Sequence, residues 1–147
     1  MRETWIGCAL VRFERSASGV LVVRVAGVAT VQSLTAIARE IWTGRATNSD
    51  AFMVDCRAAA VAASQDEILS IPVAPEADRN RPGAFVATPQ LVPLLCSHAK
   101  RMALAGFWRR TFLDTGSAYE WLARRVSAGR AAGTAPGVGG GDEASRY

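Results

Sequence analysis

The first third of the chain alternates between stretches typical of strands and one stretch with helical periodicity. The segments Trp5–Phe13 and Val20–Val25 are predominantly apolar, the second is dense in β-branched residues, and a turn at Ser16–Gly19 separates them. Together these segments predict a hairpin. Apolar residues then recur at helical spacing over Val31–Trp42, and Thr30 stands where a helix cap is expected. This pattern predicts a helix with one buried face.

The middle of the chain predicts a buried strand followed by a short helix. The run Ala51–Val54 is apolar and bounded by charge, as a central strand would be, and Asp55 marks its expected carboxyl end. Ser64 and Glu67 have the spacing of a capping box, in which each residue hydrogen-bonds the backbone of the other. A helix from this point to about Ile71 follows from the pattern.

The last third repeats the alternation of strand and helix. Gly83–Ala87 and Arg109–Leu113 read as strands, and the apolar stripe over Leu91–Ala105 predicts a helix with Pro93 in its first turn. The apolar residues spaced over Ala118–Val126 predict a final helix. The order of elements predicts an α/β fold, with one mixed sheet of about five strands, crossover helices and an antiparallel edge hairpin.

Length and composition predict one domain and argue against several classes of protein. The chain has 147 residues, half of them apolar, which is enough for one well-filled core. We assign residues 1–126 to this domain and 127–147 to a flexible tail, because the tail is rich in Gly and Ala and lacks large apolar anchors. The net charge is +4 and the arginines are scattered along the chain, so nucleic-acid binding is not expected.

The sequence also indicates the cellular compartment of the protein. No run of about 18 apolar residues is available to span a bilayer. The amino-terminal residues carry charges where a signal peptide needs an uninterrupted apolar stretch. We therefore expect a soluble, cytoplasmic protein.

Side chains that could ligate a metal are few and dispersed. Cys8, Cys56 and Cys96 lie far apart in apolar surroundings, so buried reduced thiols are expected. His98 is the only histidine and lies on the apolar stripe of its helix. This position favours a histidine buried in the core over a catalytic base. The sequence predicts no metal site and no cofactor, because no ligand spacing of a known kind occurs.

One combination of segments resembles a known family. A strand ending in Val-Asp-Cys-Arg at residues 54–57 precedes Ser64 by about nine positions, and an arginine-rich strand at residues 109–114 leads into a helix containing Tyr-Glu-Trp-Leu at 119–122. This combination resembles the small bacterial proteins grouped as STAS or SEC14-like, which are relatives of the anti-sigma-factor antagonist. The resemblance covers roughly Trp5 to Arg125. It implies a STAS-like fold.

The resemblance also implies a regulatory mechanism centred on Ser64. In anti-sigma-factor antagonists, a serine in the loop after the corresponding strand is phosphorylated by a partner kinase, which breaks a protein complex. Phosphate at a helix N-terminus meets free amide groups and the positive end of the helix dipole. The neighbouring Ala63, Gln65 and Asp66 differ from the family motif, and the alternative is that Ser64 only caps a helix.

Asp55, Arg57, Ser64 and Asp114 are candidate ligand- or partner-binding residues because of their position. Open α/β sheets bind ligands outside the carboxyl ends of their strands, and these residues are expected at that edge. Two plainer roles compete with binding. Asp55 can accept hydrogen bonds from loop amides, and Asp114 can cap the final helix.

These observations leave three hypotheses for function. The first is a non-enzymatic binding or regulatory module that acts through protein contacts or a small apolar ligand at the carboxyl edge of the sheet. The second is a switch phosphorylated on Ser64, and the third is a small enzyme that uses Asp55, Arg57 or His98. Basic residues recur from Lys100 to Arg130, where a solvated face or a contact with an acidic protein or lipid headgroup is expected. The pattern leaves the oligomeric state open.

Overall fold

The chain begins with three consecutive strands and then alternates between helices and strands. The computed structural model describes residues 1–43, 49–73 and 78–131. Within these residues the elements are β1 (Arg2–Ile6), β2 (Ala9–Arg15), β3 (Val20–Thr30), α1 (Val31–Thr43), β4 (Ala51–Ala62), α2 (Gln65–Leu69), β5 (Gly83–Val86), α3 (Val92–Leu104), β6 (Arg109–Phe112) and α4 (Thr115–Ala131).

The described strands form one mixed sheet in which spatial order follows chain order, from β1 to β6. The pairs β1–β2 and β2–β3 are antiparallel, and each later pair is parallel. The predicted α/β class and mixed sheet are confirmed, but the sheet has six strands where about five were expected. The segment Trp5–Phe13, predicted as one strand, folds back on itself at Gly7 and Cys8, and Gly7 adopts a φ of 65° that favours glycine.

Strand β4 is much longer than the predicted Ala51–Val54. It runs to Ala62, and Asp55 lies in its interior instead of at its carboxyl end. The charge does not end the strand because Asp55 is ion-paired with Arg57 on the same strand. Beyond Asp55, where pairing with β5 stops, Ala58–Ala62 continue to pair with β3.

A bulge in β4 changes which face its side chains occupy. Cys56 and Arg57 together oppose the single residue Val25 of β3. Regular alternation would place Asp55 and Ala58 on opposite faces of the sheet. With the extra residue, Asp55 and Ala58 line the same groove, whereas Cys56 is part of the core on the other face.

The sheet is covered differently on its two faces. Ile37 and Ile41 of α1 and Leu95 of α3 pack with Val23 and Val54 on one face. On the other face, α4 contributes Ala118, Trp121 and Leu122 to a separate core with Val20, Val22, Met53 and Val86. The larger core therefore lies under α1 and α3, and the second lies under α4 alone.

The helices agree with the periodicity of the sequence. The Thr30 hydroxyl accepts a hydrogen bond from the Ser33 amide at 3.2 Å, so the predicted cap of α1 is present. Pro93 lies in the first turn of α3, and Gly106 follows this helix with a φ of 97°. Helix α4 continues to Ala131, past the predicted domain boundary at residue 126. The rest of the predicted tail, 132–147, lies outside the described residues.

Candidate functional site

Helix α4 leaves a large part of its sheet face uncovered. Its side chains pack on β4, β5 and the beginning of β3, and the face of β1, β2 and the later part of β3 has no helix over it among the described residues. Two adjacent cross-strand rows cover this area, and we call them together the open face. It consists of Glu3, Arg12, Arg24 and Asp55 in the first row and Trp5, Leu10, Ala26 and Ala58 in the second.

The first row of the open face is charged in all four positions. Glu3 lies opposite Arg12, Arg12 lies opposite Arg24, and Arg24 lies opposite Asp55. Arg12 donates two hydrogen bonds to Glu3 Oε2, from Nε at 3.1 Å and from Nη2 at 3.0 Å. Arg24 forms an ion pair with Glu14. Two arginines therefore face each other at the centre of the row, with a carboxylate at each end.

The second row of the open face is apolar in all four positions. Trp5 lies opposite Leu10, Leu10 opposite Ala26, and Ala26 opposite Ala58. Trp5 is 66% exposed although it belongs to a regular strand. Val28, further along β3, is also exposed, at 42%. The open face thus combines a continuous apolar strip with a parallel strip of ion pairs.

A groove of about 440 Å³ lies over the junction of these two rows. All four strands from β1 to β4 contribute side chains to it. Glu3, Leu10, Arg12, Arg24, Ala26, Asp55, Arg57 and Ala58 line the groove. Two of the residues predicted from sequence as binding residues, Asp55 and Arg57, therefore belong to this surface.

Asp55 and Arg57 form a bidentate ion pair beside the groove. Arg57 Nε donates to Asp55 Oδ1 at 3.0 Å and Arg57 Nη2 donates to Asp55 Oδ2 at 2.9 Å. The Arg57 backbone amide also donates to Oδ1, at 3.1 Å. Burial by itself raises the pKa of Asp55, but the hydrogen bonds and charge of Arg57 outweigh burial and hold this pKa below its ordinary value. The carboxylate is therefore ionised at neutral pH.

Asp114 lies near this pair and also caps α4, which was the alternative role. Its Oδ1 accepts a hydrogen bond from the Ser117 amide at 2.7 Å, and its Oδ2 accepts one from the Ser117 hydroxyl at 2.9 Å. These bonds lower the pKa of Asp114, and the charge of Arg57 contributes in the same direction. The structure therefore brings Asp55, Arg57 and Asp114 to the same region.

Ser64 lies far from these three residues. The part of β4 between Asp55 and Ala62 alone extends for about 23 Å at the usual rise of a strand. Ser64 forms the predicted capping box: its hydroxyl accepts from the Glu67 amide at 3.2 Å, and Glu67 Oε1 accepts from the Ser64 amide at 3.0 Å. A phosphate on Ser64 would stand beside the carboxylates of Asp66 and Glu67.

His98 lies on the opposite side of the sheet from Asp55. It lines a cavity with Val54 and Cys56, whose side chains point away from the open face, and its ring contacts Phe85 edge-on at 5.4 Å. Burial lowers the pKa of His98 to about 4, so the imidazole is neutral at physiological pH. The arrangement that the enzyme hypothesis requires, with Asp55, Arg57 and His98 in one cleft, does not occur.

The cysteines and the basic segment differ from expectation. Cys56 is buried as predicted, but Cys8 and Cys96 are exposed, because Cys8 lies in the β1–β2 turn and Cys96 on the outer side of α3. The basic residues between Lys100 and Arg130 do not form one face, since α3 and α4 pack on opposite faces of the sheet and Arg109 is buried in the core. Within the described ranges, no cluster of three or more His, Cys, Asp or Glu side chains could hold a metal ion.

Sequence reasoning missed most of the open face. The alternation Val11, Arg12, Phe13, Glu14 in β2 was a signal that this strand has one exposed face. The rows themselves depend on the register between strands, which one sequence does not reveal.

None of the described helices has both the length and the low polarity that crossing a bilayer requires. A scan against protein-family models, a search of curated proteins and a search of solved structures each found no match to this chain.

Proposed function

We propose that this protein is a non-enzymatic binding module that docks a partner protein on its open face. The observation that carries the proposal is the exposed apolar row from Trp5 to Ala58, which lies directly beside a row of ion pairs. Protein interfaces commonly combine an apolar centre with a polar rim, and tryptophan and arginine are over-represented among the residues that dominate their binding energy.

The exposure of Trp5 is difficult to explain by folding alone. A tryptophan side chain contributes most to stability when it is buried, yet most of the surface of Trp5 remains in contact with water. Its neighbours across the sheet, Leu10 and Ala26, are only half-buried. Contiguous apolar surface of this kind on an otherwise polar face is typical of interaction sites.

The shape of the open face favours an amphipathic helix as the element that binds there. Helix α4 already packs its apolar side on the same face of the sheet, so the geometry of helix on sheet exists next to the open face. The strands β1, β2 and β3 each occupy about 4.8 Å of the sheet and together form a surface about 14 Å wide, and a helix with its side chains is about 10–12 Å wide. One partner helix therefore fits beside α4 and covers the apolar row.

The charges of the first row specify the chemistry of the partner. Arg12 and Arg24 face each other at its centre, and like charges in directly opposite positions repel. A carboxylate from a partner helix would relieve this repulsion. A second copy of the chain fits less well, because the row reads negative, positive, positive, negative from either end, so that face-to-face pairing in register opposes like charges.

The resemblance to STAS and SEC14-like proteins supports the same role. The anti-sigma-factor antagonists among their relatives work by binding other proteins. We carry over from this resemblance the STAS-like fold and the regulatory role as part of the proposal. We do not carry over the phosphorylated serine, because Ser64 lies remote from the open face.

The proposal is tested by affinity capture from a lysate of the source organism, with wild-type protein compared with Trp5→Ala and Arg24→Glu. We expect at least one captured protein to bind wild type and to lose about tenfold or more of its binding to either variant. Cross-linking should place an amphipathic helix of that protein over Trp5. Leu104→Ala is the matched control, because Leu104 is an exposed apolar residue on α3, away from the open face.

Two results would overturn the proposal. One is that every captured protein binds Trp5→Ala as well as it binds wild type. The other is that light scattering shows a dimer of the wild-type chain that Trp5→Ala dissociates, since the open face would then bind a second copy and not a different protein.

A further inference from the structure

The side of the sheet opposite the open face also contains a cavity. This cavity is partly open, has a volume of about 70 Å³ and lies between the sheet and the helices α1, α2 and α3. Its lining is predominantly apolar and includes Ile37, Ile41, Val54, Ile68 and Leu95. At about 10–15 Å³ for a water-sized group, the cavity has room for about five or six non-hydrogen atoms.

One charged side chain, Arg109, lines this apolar cavity. Arg109 is 1% exposed, and its guanidinium lies 4.7 Å from the ring centre of Phe52 and 5.1 Å from that of Phe107. Among the described residues, its Nη1 donates to the backbone carbonyls of Arg81 and Trp108, each at 2.8 Å. Within the described residues no carboxylate forms an ion pair with it; Asp78 acts on its charge only from a distance.

A charged arginine in this position destabilises the folded state. Burial disfavours the charged form and lowers the pKa of Arg109 to about 9, and the neighbouring charge of Arg81 adds to the effect. Arg109 is nevertheless still protonated at neutral pH. Buried charges in proteins are normally paired, and a pair that lacks one partner destabilises the folded state. A bound anion would supply the missing negative charge.

Two further lining residues carry polar atoms without a hydrogen-bond partner. Among the described residues, the buried Nδ1 of His98 and the buried Nε1 of Trp42 each lack one. His98 and Arg109 line the same cavity, and the charge of Arg109 contributes to lowering the pKa of His98. A group with two oxygens could accept from the guanidinium and from one of these ring nitrogens.

We propose that the cavity binds a short-chain carboxylic acid of about five or six non-hydrogen atoms, with its carboxylate against Arg109 and its alkyl chain among Ile37, Ile41 and Leu95. The size of the cavity sets the chain length, the lining sets the apolar character, and the guanidinium sets the charge. A cation of the same size is excluded by Arg109. The site lies at the helix-covered face, not at the carboxyl edge of the sheet where an apolar ligand was expected.

The test uses butyrate as the probe, with butanol and butylammonium as matched neutral and cationic probes. Each is titrated into the isotopically labelled wild-type chain, and amide shifts in α1 and α3 are followed by NMR. We expect saturable shifts with butyrate and affinities for the other two probes that are weaker by about tenfold or more. Equal affinity for butanol, or no saturable shift with butyrate, would overturn the proposal.

Variants identify the site. Arg109→Met should abolish butyrate binding, and Arg110→Met, which changes the next residue of β6, should leave it unchanged. Ala38→Leu keeps Arg109 and fills part of the cavity, so it should also abolish binding. If Arg109→Met does not fold, Ala38→Leu still tests whether butyrate binds in the cavity. Retention of wild-type affinity in Ala38→Leu would show that butyrate binds elsewhere and would overturn the proposal.

Discussion

Phe52 and Gly83 lie opposite each other on β4 and β5, and the ring of Phe52 occupies the space where a side chain at position 83 would begin. A Cβ at Gly83 would lie 2.2 Å from Phe52 Cζ. The same ring lies against the guanidinium groups of Arg81, at 5.2 Å, and Arg109, at 4.7 Å. Glycine at 83 is therefore required by packing, and it lets one aromatic ring support two buried arginines.

Gly83→Ala should destabilise the protein by about 2–3 kcal/mol, because neither the β5 backbone nor the Phe52 ring can move without disturbing this cluster. Urea unfolding followed by circular dichroism measures the change. Phe52→Leu in the same chain should recover part of the loss, so the two substitutions will be non-additive. A Gly83→Ala variant within about 0.5 kcal/mol of wild type would contradict the packing described here.

The pH dependence of stability should contain a contribution from His98. Its pKa is about 4 in the folded protein, lowered by burial and by the charges of Arg109 and Arg101, against an ordinary value of 6.5. As the pH falls, the unfolded chain takes up this proton first. The contribution is therefore absent above about pH 6.5, reduces stability progressively from there towards pH 4, and levels off below pH 4, with a total of about 3 kcal/mol.

The measurement is urea unfolding at intervals between pH 4 and 7.5, with His98→Gln as the comparison. The variant lacks the titrating group, so the difference in unfolding free energy between the two proteins should change between pH 4 and about 6.5 and be constant from there to pH 7.5. A constant difference throughout would show that His98 is not buried as described.

Ser64→Ala should cost about 1 kcal/mol, because the Glu67 amide loses its acceptor at the start of α2. Thermal or urea unfolding provides the measurement. Ser127→Ala is a suitable control, since Ser127 is exposed within α4 and Ala is the better helix former there. Equal effects of the two substitutions would argue against the capping box.

The three thiols should differ in reactivity. Cys8 and Cys96 are exposed and should react promptly with a disulfide reagent under native conditions. Burial raises the pKa of Cys56 to about 12, with the charge of Asp55 adding to the effect, so this thiol should react only when the chain unfolds. The thiolate that the reagent releases is measured before and after denaturant is added. Cys56→Ala should abolish only the reaction that requires unfolding.

Local patterns predicted the helices well. The periodicity over Val31–Trp42 and the spacing of Ser64 and Glu67 depend on residues near in sequence, and both α1 and the capping box formed as expected. The boundaries of the strands were harder to predict from the sequence. Asp55 and Arg57 read as the end of β4 because charge usually terminates a buried run, but these two charges neutralise each other inside the strand.

The candidate sites were the least predictable part. The two rows of the open face join residues from four strands, and the cavity draws its lining from six elements. Which residues come together at these two sites depends on the register between strands and on the order of the strands in the sheet. Arg109 appeared in the sequence as one of many scattered arginines, and nothing local distinguishes a buried arginine from an exposed one.

The length of β4 has a consequence for how the molecule moves. Its first half, around Met53 and Val54, has packed side chains on both faces, whereas Ala58–Ala62 emerge beyond β5 and have exposed side chains on the open face. Amide hydrogens in the first half should exchange with solvent only on global unfolding, and those beyond Arg57 should exchange through local opening. One continuous strand therefore spans two regimes of exchange, and its outer half can open while the core around Met53 and Val54 stays closed.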